Sequence, residues 1–257
     1  MSILFDANDD VISCGTSDAL LTENGALTIS AWLNVSGVGE GGTTAVVIGK
    51  RTTGSGHGME LLLSNGTNRQ ILFFVDATTN LQRRADVNSY PAFGTLFHLL
   101  VTWDGVVTTA SSVHMYVNGA EVSYSETTDG AGDQDNSADT IRIGQRSDGT
   151  VTYNGYISEL AVWNKVLSAS EIAYLYGNGS PLRGAPMNIS FGNNLKAYWP
   201  LCEDVGGTVN SASNYVKDYS GLKNHGTQTG DPVYSANPSN IKCVKPTYPS
   251  SLGRFGF

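Results

Sequence analysis

The chain has 257 residues, of which 15% are charged, and its formal net charge is -8; this length suffices for one large all-β domain with its own core. The negative charge and the lack of a Lys/Arg cluster predict no nucleic-acid partner. No apolar run approaches the ~18 residues of a membrane span, so no membrane partner is predicted either.

The N-terminal residues and the cysteines give information about the cellular compartment of the protein. The first ten residues, MSILFDANDD, have neither the basic n-region nor the apolar h-region of a secretory signal, and we therefore expect no such signal. The cysteines Cys14, Cys202 and Cys243 are widely separated and fit neither a metal-binding spacing nor a disulfide framework. The sequence predicts that they are free thiols.

Short apolar runs alternate with Gly, Asn, Asp, Ser and Thr along most of the chain, which is typical of an all-β sandwich. Residues 28–35 and 96–103 are the clearest predicted strands. By the period of two, Ile29, Ala31 and Leu33 share one strand face, and Trp32 lies on the other.

Turn signals divide these strands. The pairs Asn65-Gly66 and Asn118-Gly119 predict tight hairpins, because they tolerate the positive φ of such turns. Residues 37–42, GVGEGG, formally satisfy a dinucleotide-binding pattern, but a strand-like run follows instead of the required helix, so we interpret them as a hairpin loop. The polar tract at 126–137 predicts a long exposed loop.

One helix is predicted after the strands. Ser168 and Glu171 have the spacing of a capping box, and Leu167 and Ile172 have that of a hydrophobic staple. Gly177 is a natural C-terminal stop.

These motifs together resemble the laminin-G-like (concanavalin A-like) family and occur in the order found in that family. They are LFDANDDVI at 4–12, LTISAW at 27–32, FHLLVTWDG at 97–105, MYVNG at 115–119, IRIG at 141–144, YNGYISELAVWN at 153–164 and the helix at 168–176. The resemblance implies an antiparallel jelly-roll β-sandwich with one short helix over residues 1–176.

The remainder of the chain departs from the order usual in that family. Residues 177–194 are interpreted as a linker, and 195–257 as a C-terminal segment with a permuted edge strand and an extended tail. LKAYWPL at 195–201 and DYSGLKNHGT at 218–227 resemble the segment that usually precedes the opening motif. We expect the strand near 197–201 to fill a vacant sandwich edge, in its own subunit or in a neighbour. This permuted order resembles bacteriophage structural proteins.

The resemblance also suggests a calcium site, because relatives ligate calcium near the opening motif and hard oxygen ligands suit that ion. The candidate ligands are Asp6, Asp9, Asp10, Glu159, Asp218 and Asn224. The alternative is a solvated acidic turn, which needs no ion.

Catalysis is not predicted. The sequence contains no GxSxG or HExxH motif, and no closely spaced carboxylate pair of the kind that a glycosidase of this fold requires. The four tryptophans, Trp32, Trp103, Trp163 and Trp199, could stack on sugars, but each lies in a strand pattern that favours core packing.

Two functional hypotheses follow. The first is a virion surface protein, a capsid decoration or head/tail protein that docks on a protein lattice and forms a homo-oligomer. The alternative is a calcium-assisted lectin or adhesin that binds glycans through loops at one end of the sandwich, in an extracellular or cell-surface location. Fold alone does not decide between them.

Overall fold

A computed structural model describes residues 2–16, 21, 25–37, 39–40, 42–51, 58–64, 67–132, 139–177, 184–189, 193–201, 214–230 and 233–235. Within these residues, seventeen β-strands form two antiparallel sheets. The strands are β1 Ser2–Asp6, β2 Val11–Ser13, β3 Leu27–Val35, β4 Thr44–Arg51, β5 Gly58–Ser64, β6 Gln70–Val75, β7 Leu81–Ala85, β8 Leu96–Trp103, β9 His114–Val117, β10 Ala120–Glu121, β11 Tyr124–Thr128, β12 Arg142–Ile143, β13 Asn154–Trp163, β14 Leu195–Trp199, β15 Tyr215–Val216, β16 Gly226–Thr229 and β17 Val233–Ser235.

The two sheets pack face to face as a sandwich. Sheet I has the order β10-β9-β8-β3-β13-β1-β17, with β14 also paired to β13, and sheet II has the order β11-β7-β6-β5-β4-β12-β2-β16-β15. The Phe73 ring of sheet II lies 5.7 Å from the Trp103 ring of sheet I, and both side chains are buried. This architecture confirms the predicted all-β jelly-roll sandwich.

The period-two patterns identify the core face of sheet I correctly. Ile29, Ala31 and Leu33 of β3 lie in the main hydrophobic core, together with the corresponding alternate residues of β8. The opposite face of both strands is buried as well, because the helix covers it. All four tryptophans are buried, as predicted, and Trp32 is the most exposed of them at 8%.

Helix α1, Ala169–Tyr176, covers the outer face of sheet I. Its side chains Ile172 and Leu175 join a second buried cluster that also contains Trp163 of β13 and Leu167. The predicted capping box is present, with Ser168 as N-cap, and the helix ends at Gly177 in the left-handed region.

Ser168→Ala is expected to lower the free energy of unfolding by about 1 kcal/mol, because the side chain of Ser168 accepts a hydrogen bond from the Glu171 N–H that would otherwise lack a partner. Urea unfolding of the full chain measures this change. Ser170→Ala, two residues along the same helix turn, is the matched control and should alter stability by no more than about 0.5 kcal/mol. Equal losses in the two variants would contradict the capping assignment.

Strand β14 extends sheet I within the same chain. β13 pairs with β3 along one side, and on its other side with β1 as far as Ile157 and then with β14 from Leu160 to Trp163. Glu159, at φ 53°, lies at the junction, and its N–H donates to the Pro200 carbonyl at 2.8 Å. The C-terminal segment therefore fills a sheet edge that β1 leaves unpaired.

The predicted turns have mixed outcomes. Asn118 and Gly119 both have positive φ, at 53° and 78°, and join β9 to β10 as predicted. Asn65-Gly66 lies outside the described residues, although the flanking strands β5 and β6 do pair. The prediction of a loop at 126–137 is wrong for residues 126–128, because Tyr124–Thr128 forms a polar edge strand that pairs with β7.

Two smaller predictions concern the thiols and the membrane. Cys14 is a buried free thiol, and burial, followed by the nearby charge of Asp218, raises its pKa well above the ordinary range. Cys202 and Cys243 lie outside the described residues. Within the described part of the chain, no helix has the length and apolar character needed to cross a membrane.

Candidate functional site

The structure places the six predicted ligands in two separate regions. Asp6, Asp9 and Asp10 lie together in residues 6–10, the acidic turn that joins β1 to β2, and one carboxylate oxygen from each lies within 4.8 Å of the others. Glu159, Asp218 and Asn224 lie around β14 instead. Because Asp6 pairs opposite residue 154 of β13, and β14 begins to pair at residue 160, about 20 Å of strand separates the two regions.

The acidic turn is folded on its own carboxylates. The Asp6 N–H donates to Asp10 Oδ2 at 2.8 Å, and the Asn8 N–H donates to Asp6 Oδ1 at 3.1 Å. Ala7 between them has a φ of 80°, which a non-glycine residue adopts only when its surroundings hold it there. Asp10 is buried, whereas Asp9 is exposed. The acidic turn is therefore held in one conformation by its own hydrogen bonds.

Neighbouring loops hold the acidic turn in place. Thr152 Oγ1 donates to the Ala7 carbonyl at 2.7 Å and accepts from the Glu40 N–H at 2.8 Å. Gly230 packs so closely that a Cβ there would lie 2.7 Å from Asp10 Oδ1. Loops from four parts of the chain thus converge at one end of the sandwich.

The donor set of the acidic turn fits calcium. This ion takes six to eight oxygen ligands from carboxylates, carbonyls and water, and tolerates irregular geometry. The hydrogen bonds within the turn orient these carboxylates: Asp6 accepts from the N–H and from Nδ2 of Asn8, at 3.1 and 3.5 Å, and Asp10 accepts from the Asp6 N–H at 2.8 Å. If calcium binds here, Asp6, Asp9 and Asp10 would hold it, and the ion would offset two of the three adjacent negative charges.

Asp218 has a different environment. Its Oδ1 accepts from the N–H groups of Tyr198 and Ser220, at 2.9 and 2.8 Å, and its Oδ2 accepts from Ser220 Oγ and the Asn224 N–H, at 2.7 and 2.9 Å. A carboxylate offers about four lone-pair directions, and these four donors occupy them. We assign Asp218 the structural role of attaching residues 218–224 to β14.

Asn224 and Glu159 also make local contacts. Asn224 Nδ2 donates to the Lys196 carbonyl at 2.8 Å, and the Asn224 carbonyl accepts from Trp199 Nε1 at 2.9 Å. Glu159 Oε2 accepts from the Tyr198 hydroxyl at 2.6 Å. Burial, and then the adjacent Glu159 charge, raises the pKa of Tyr198 well above its ordinary value, so this hydroxyl remains a donor.

The outer face of sheet II carries an ion network that the sequence patterns did not predict. Glu60 is 1% exposed, and it accepts from Arg51 Nη1 at 3.1 Å and from Arg146 Nε at 2.8 Å. Arg51 Nε also donates to Asp76 at 2.6 Å, and its guanidinium lies 4.4 Å from the centroid of the Phe74 ring. The one available signal was a charged residue at an otherwise apolar position of the strand pattern in β5.

The pairing of Glu60 and Asp76 with arginine argues against a catalytic role for these two carboxylates. Burial opposes the charge of Arg51, but the hydrogen bonds and charges of Asp76 and Glu60 outweigh it and raise the pKa of the guanidinium. Both carboxylates are engaged by arginine, so neither is placed to donate a proton to a glycosidic oxygen as a glycosidase acid must. The network therefore acts as a structural clamp.

Comparisons with known proteins identify the fold family. The family model described as the concanavalin A-like lectin/glucanases superfamily matches residues 6–173. No curated protein matches the chain.

Solved structures show the same fold at low sequence identity. A candidate carbohydrate-binding protein from Bacteroides ovatus is 18% identical with a TM-score of 0.58; the match covers 94% of this chain and 62% of that protein. The CBM40 module of the Ruminococcus gnavus IT-sialidase, solved with α2,3-sialyllactose, is 13% identical with a TM-score of 0.52; the match covers 66% of this chain and 93% of that one. At these identities the likeness shows the fold alone.

Proposed function

Because the chain belongs to the concanavalin A-like lectin/glucanase superfamily, we propose that it is a non-enzymatic carbohydrate-binding protein. The observation that carries the proposal is the family match over residues 6–173, which includes most of the sandwich. The two solved structures support it, since one is described as a candidate carbohydrate-binding protein and the other holds a sialylated sugar.

The loops around the acidic turn are the proposed glycan site. Loops carried on a rigid sandwich are common positions for binding residues, and here Thr152 fixes the acidic turn to two other segments of backbone. Calcium bound by Asp6, Asp9 and Asp10 would take further oxygen ligands, which sugar hydroxyls could supply. This site suits an extracellular or cell-surface location, where glycans are displayed.

The virion hypothesis receives no support from the described residues or from the comparisons. Docking on a capsid or tail lattice and homo-oligomer formation remain predictions of the sequence, and we place glycan binding ahead of them. The engagement of Glu60 and Asp76 by arginine supports a binding role over a hydrolytic one.

The proposal is tested by screening the full chain against a broad glycan panel, with calcium and with EDTA. We expect binding to at least one glycan and no release of reducing sugar. Failure to bind any glycan under both conditions would refute the proposal, and docking on purified capsids or tails would then be tested first.

Calcium at 100 times its Kd is expected to raise Tm by about 5–10 °C, because such a ligand adds about 2.7 kcal/mol to the free energy of unfolding. Asp9→Asn should reduce the rise, because the amide oxygen can still be a ligand but carries no charge. Asp104→Asn is the matched control, because Asp104 Oδ1 accepts from the Val106 N–H at 2.9 Å in a similar exposed turn; this variant should keep the rise. If Asp9→Asn responds to calcium as the wild type does, calcium does not bind at the acidic turn.

A further inference from the structure

A shallow groove lies between helix α1 and the 3-10 turn Pro186–Asn188. Its volume is about 400 Å³, and it is lined by Ser170, Glu171, Tyr174, Asn188 and Ile189. The acidic turn lies beside the first residue of β13, whereas the helix follows its last residue, so about 30 Å of strand separates the two places. The groove is thus independent of the proposed loop site.

Tyr174 provides an exposed aromatic surface in this groove. Its side chain is 42% exposed, and its hydroxyl accepts from Asn188 Nδ2 at 2.7 Å. The backbone of Gly184 packs against the ring so closely that a Cβ there would lie 2.3 Å from Tyr174 Cδ1. The Gly184 N–H also donates to the Tyr174 carbonyl at 3.0 Å. A ring held in this way loses little conformational entropy when a ligand stacks on it.

Polar groups of fixed position border the ring. Glu171 Oε1 accepts from Lys165 Nζ at 2.6 Å, and its Oε2 accepts from the Ser168 N–H at 2.8 Å. Asn188 is held by Tyr174, as described above. A partly apolar groove with a few well-placed polar groups is typical of small-ligand sites. A sugar ring matches it, because its C–H face is apolar and its rim of hydroxyls both donates and accepts.

Charge favours a neutral sugar over an acidic one. The groove contains the Glu171 carboxylate, and the whole chain carries a net charge of -8. We infer that this groove is a second saccharide site that takes one uncharged pyranose ring, stacked on Tyr174 and hydrogen-bonded by Asn188 and Glu171. The inference rests on the proposed function in its ligand class, but it uses none of the residues of the acidic turn.

The test is NMR titration of the full chain with the methyl glycosides of galactose, glucose and mannose, each added alone. At least one sugar is expected to shift the amide signals of Ser170, Glu171 and the Asn188 side chain. Tyr174→Ala should weaken its affinity about tenfold. Phe93→Ala, which removes an aromatic ring of similar exposure, 41%, should leave it unchanged.

A second variant keeps the test valid if Tyr174→Ala does not fold. Asn188→Ala keeps the aromatic ring and should weaken affinity about two- to tenfold, as removal of one neutral hydrogen bond does. No shift at the groove with any of the three sugars, or wild-type affinity in both variants, would overturn the inference. Binding to the glycan panel that depends on Asp9 but not on Tyr174 would overturn it while sustaining the proposed function. Binding that depends on Tyr174 but not on Asp9 would sustain the inference and the carbohydrate-binding function, and it would contradict only the placement of a glycan site at the loops.

Discussion

Glu60→Gln is expected to lower the free energy of unfolding by about 3–5 kcal/mol. The substitution keeps the shape of the side chain but removes the buried negative charge that Arg51 and Arg146 share. The side chains of these arginines are only 16% and 13% exposed, so water replaces the lost carboxylate charge poorly. Equilibrium unfolding in urea, followed by tryptophan fluorescence, measures the loss.

The matched control for this variant is Glu126→Gln. Glu126 pairs with Arg84 at 3.0 Å on the same sheet, but their side chains are 40% and 30% exposed. Exposed ion pairs contribute about 0–1 kcal/mol, so the control should lose no more than that. If the two variants lost equal stability, the network on sheet II would contribute no more than a surface ion pair.

Asp218→Asn is expected to lower the free energy of unfolding by about 3 kcal/mol. In the variant, an amide NH2 group replaces one acceptor oxygen and faces N–H and O–H groups, which cannot accept from it. The loss is large because hydrogen bonds to charged groups contribute about 1.5–3 kcal/mol each. The Asp218 carboxylate accepts from Tyr198, Ser220 and Asn224, so the change loosens the contact between β14 and residues 218–224.

Hydrogen exchange measured by mass spectrometry locates this effect. Peptides covering β14 and residues 214–226 should exchange faster in Asp218→Asn, while peptides of β8 should not change. Asp104→Asn serves here as well, since an exposed aspartate in a turn should cost no more than about 0.5 kcal/mol. Unchanged exchange in β14 would show that the Asp218 carboxylate does not hold that strand to the sheet.

Local patterns in the sequence were sufficient to predict the sandwich class, the core face of sheet I and the helix. A strand alternates side chains by geometry, so Ile29 and Leu33 had to share a face with each other but not with Trp32. The capping box needs only residues three apart, and Ser168 and Glu171 form it as predicted. The acidic turn was predictable for the same reason, since its three aspartates lie within five residues.

The tertiary structure decided which polar groups share an environment. Glu60 and Arg146 are 86 residues apart in sequence and meet only because a loop after β12 reaches β5. Tyr174 and Asn188 line one groove only because the chain after α1 returns to the helix. Asp218 and Glu159 were named as candidate ligands through the family resemblance, and the fold hydrogen-bonds each of them to Tyr198 of β14. Short-range spacing determines strand faces and caps, whereas the partner of a buried charge depends on chain topology, which no local pattern encodes.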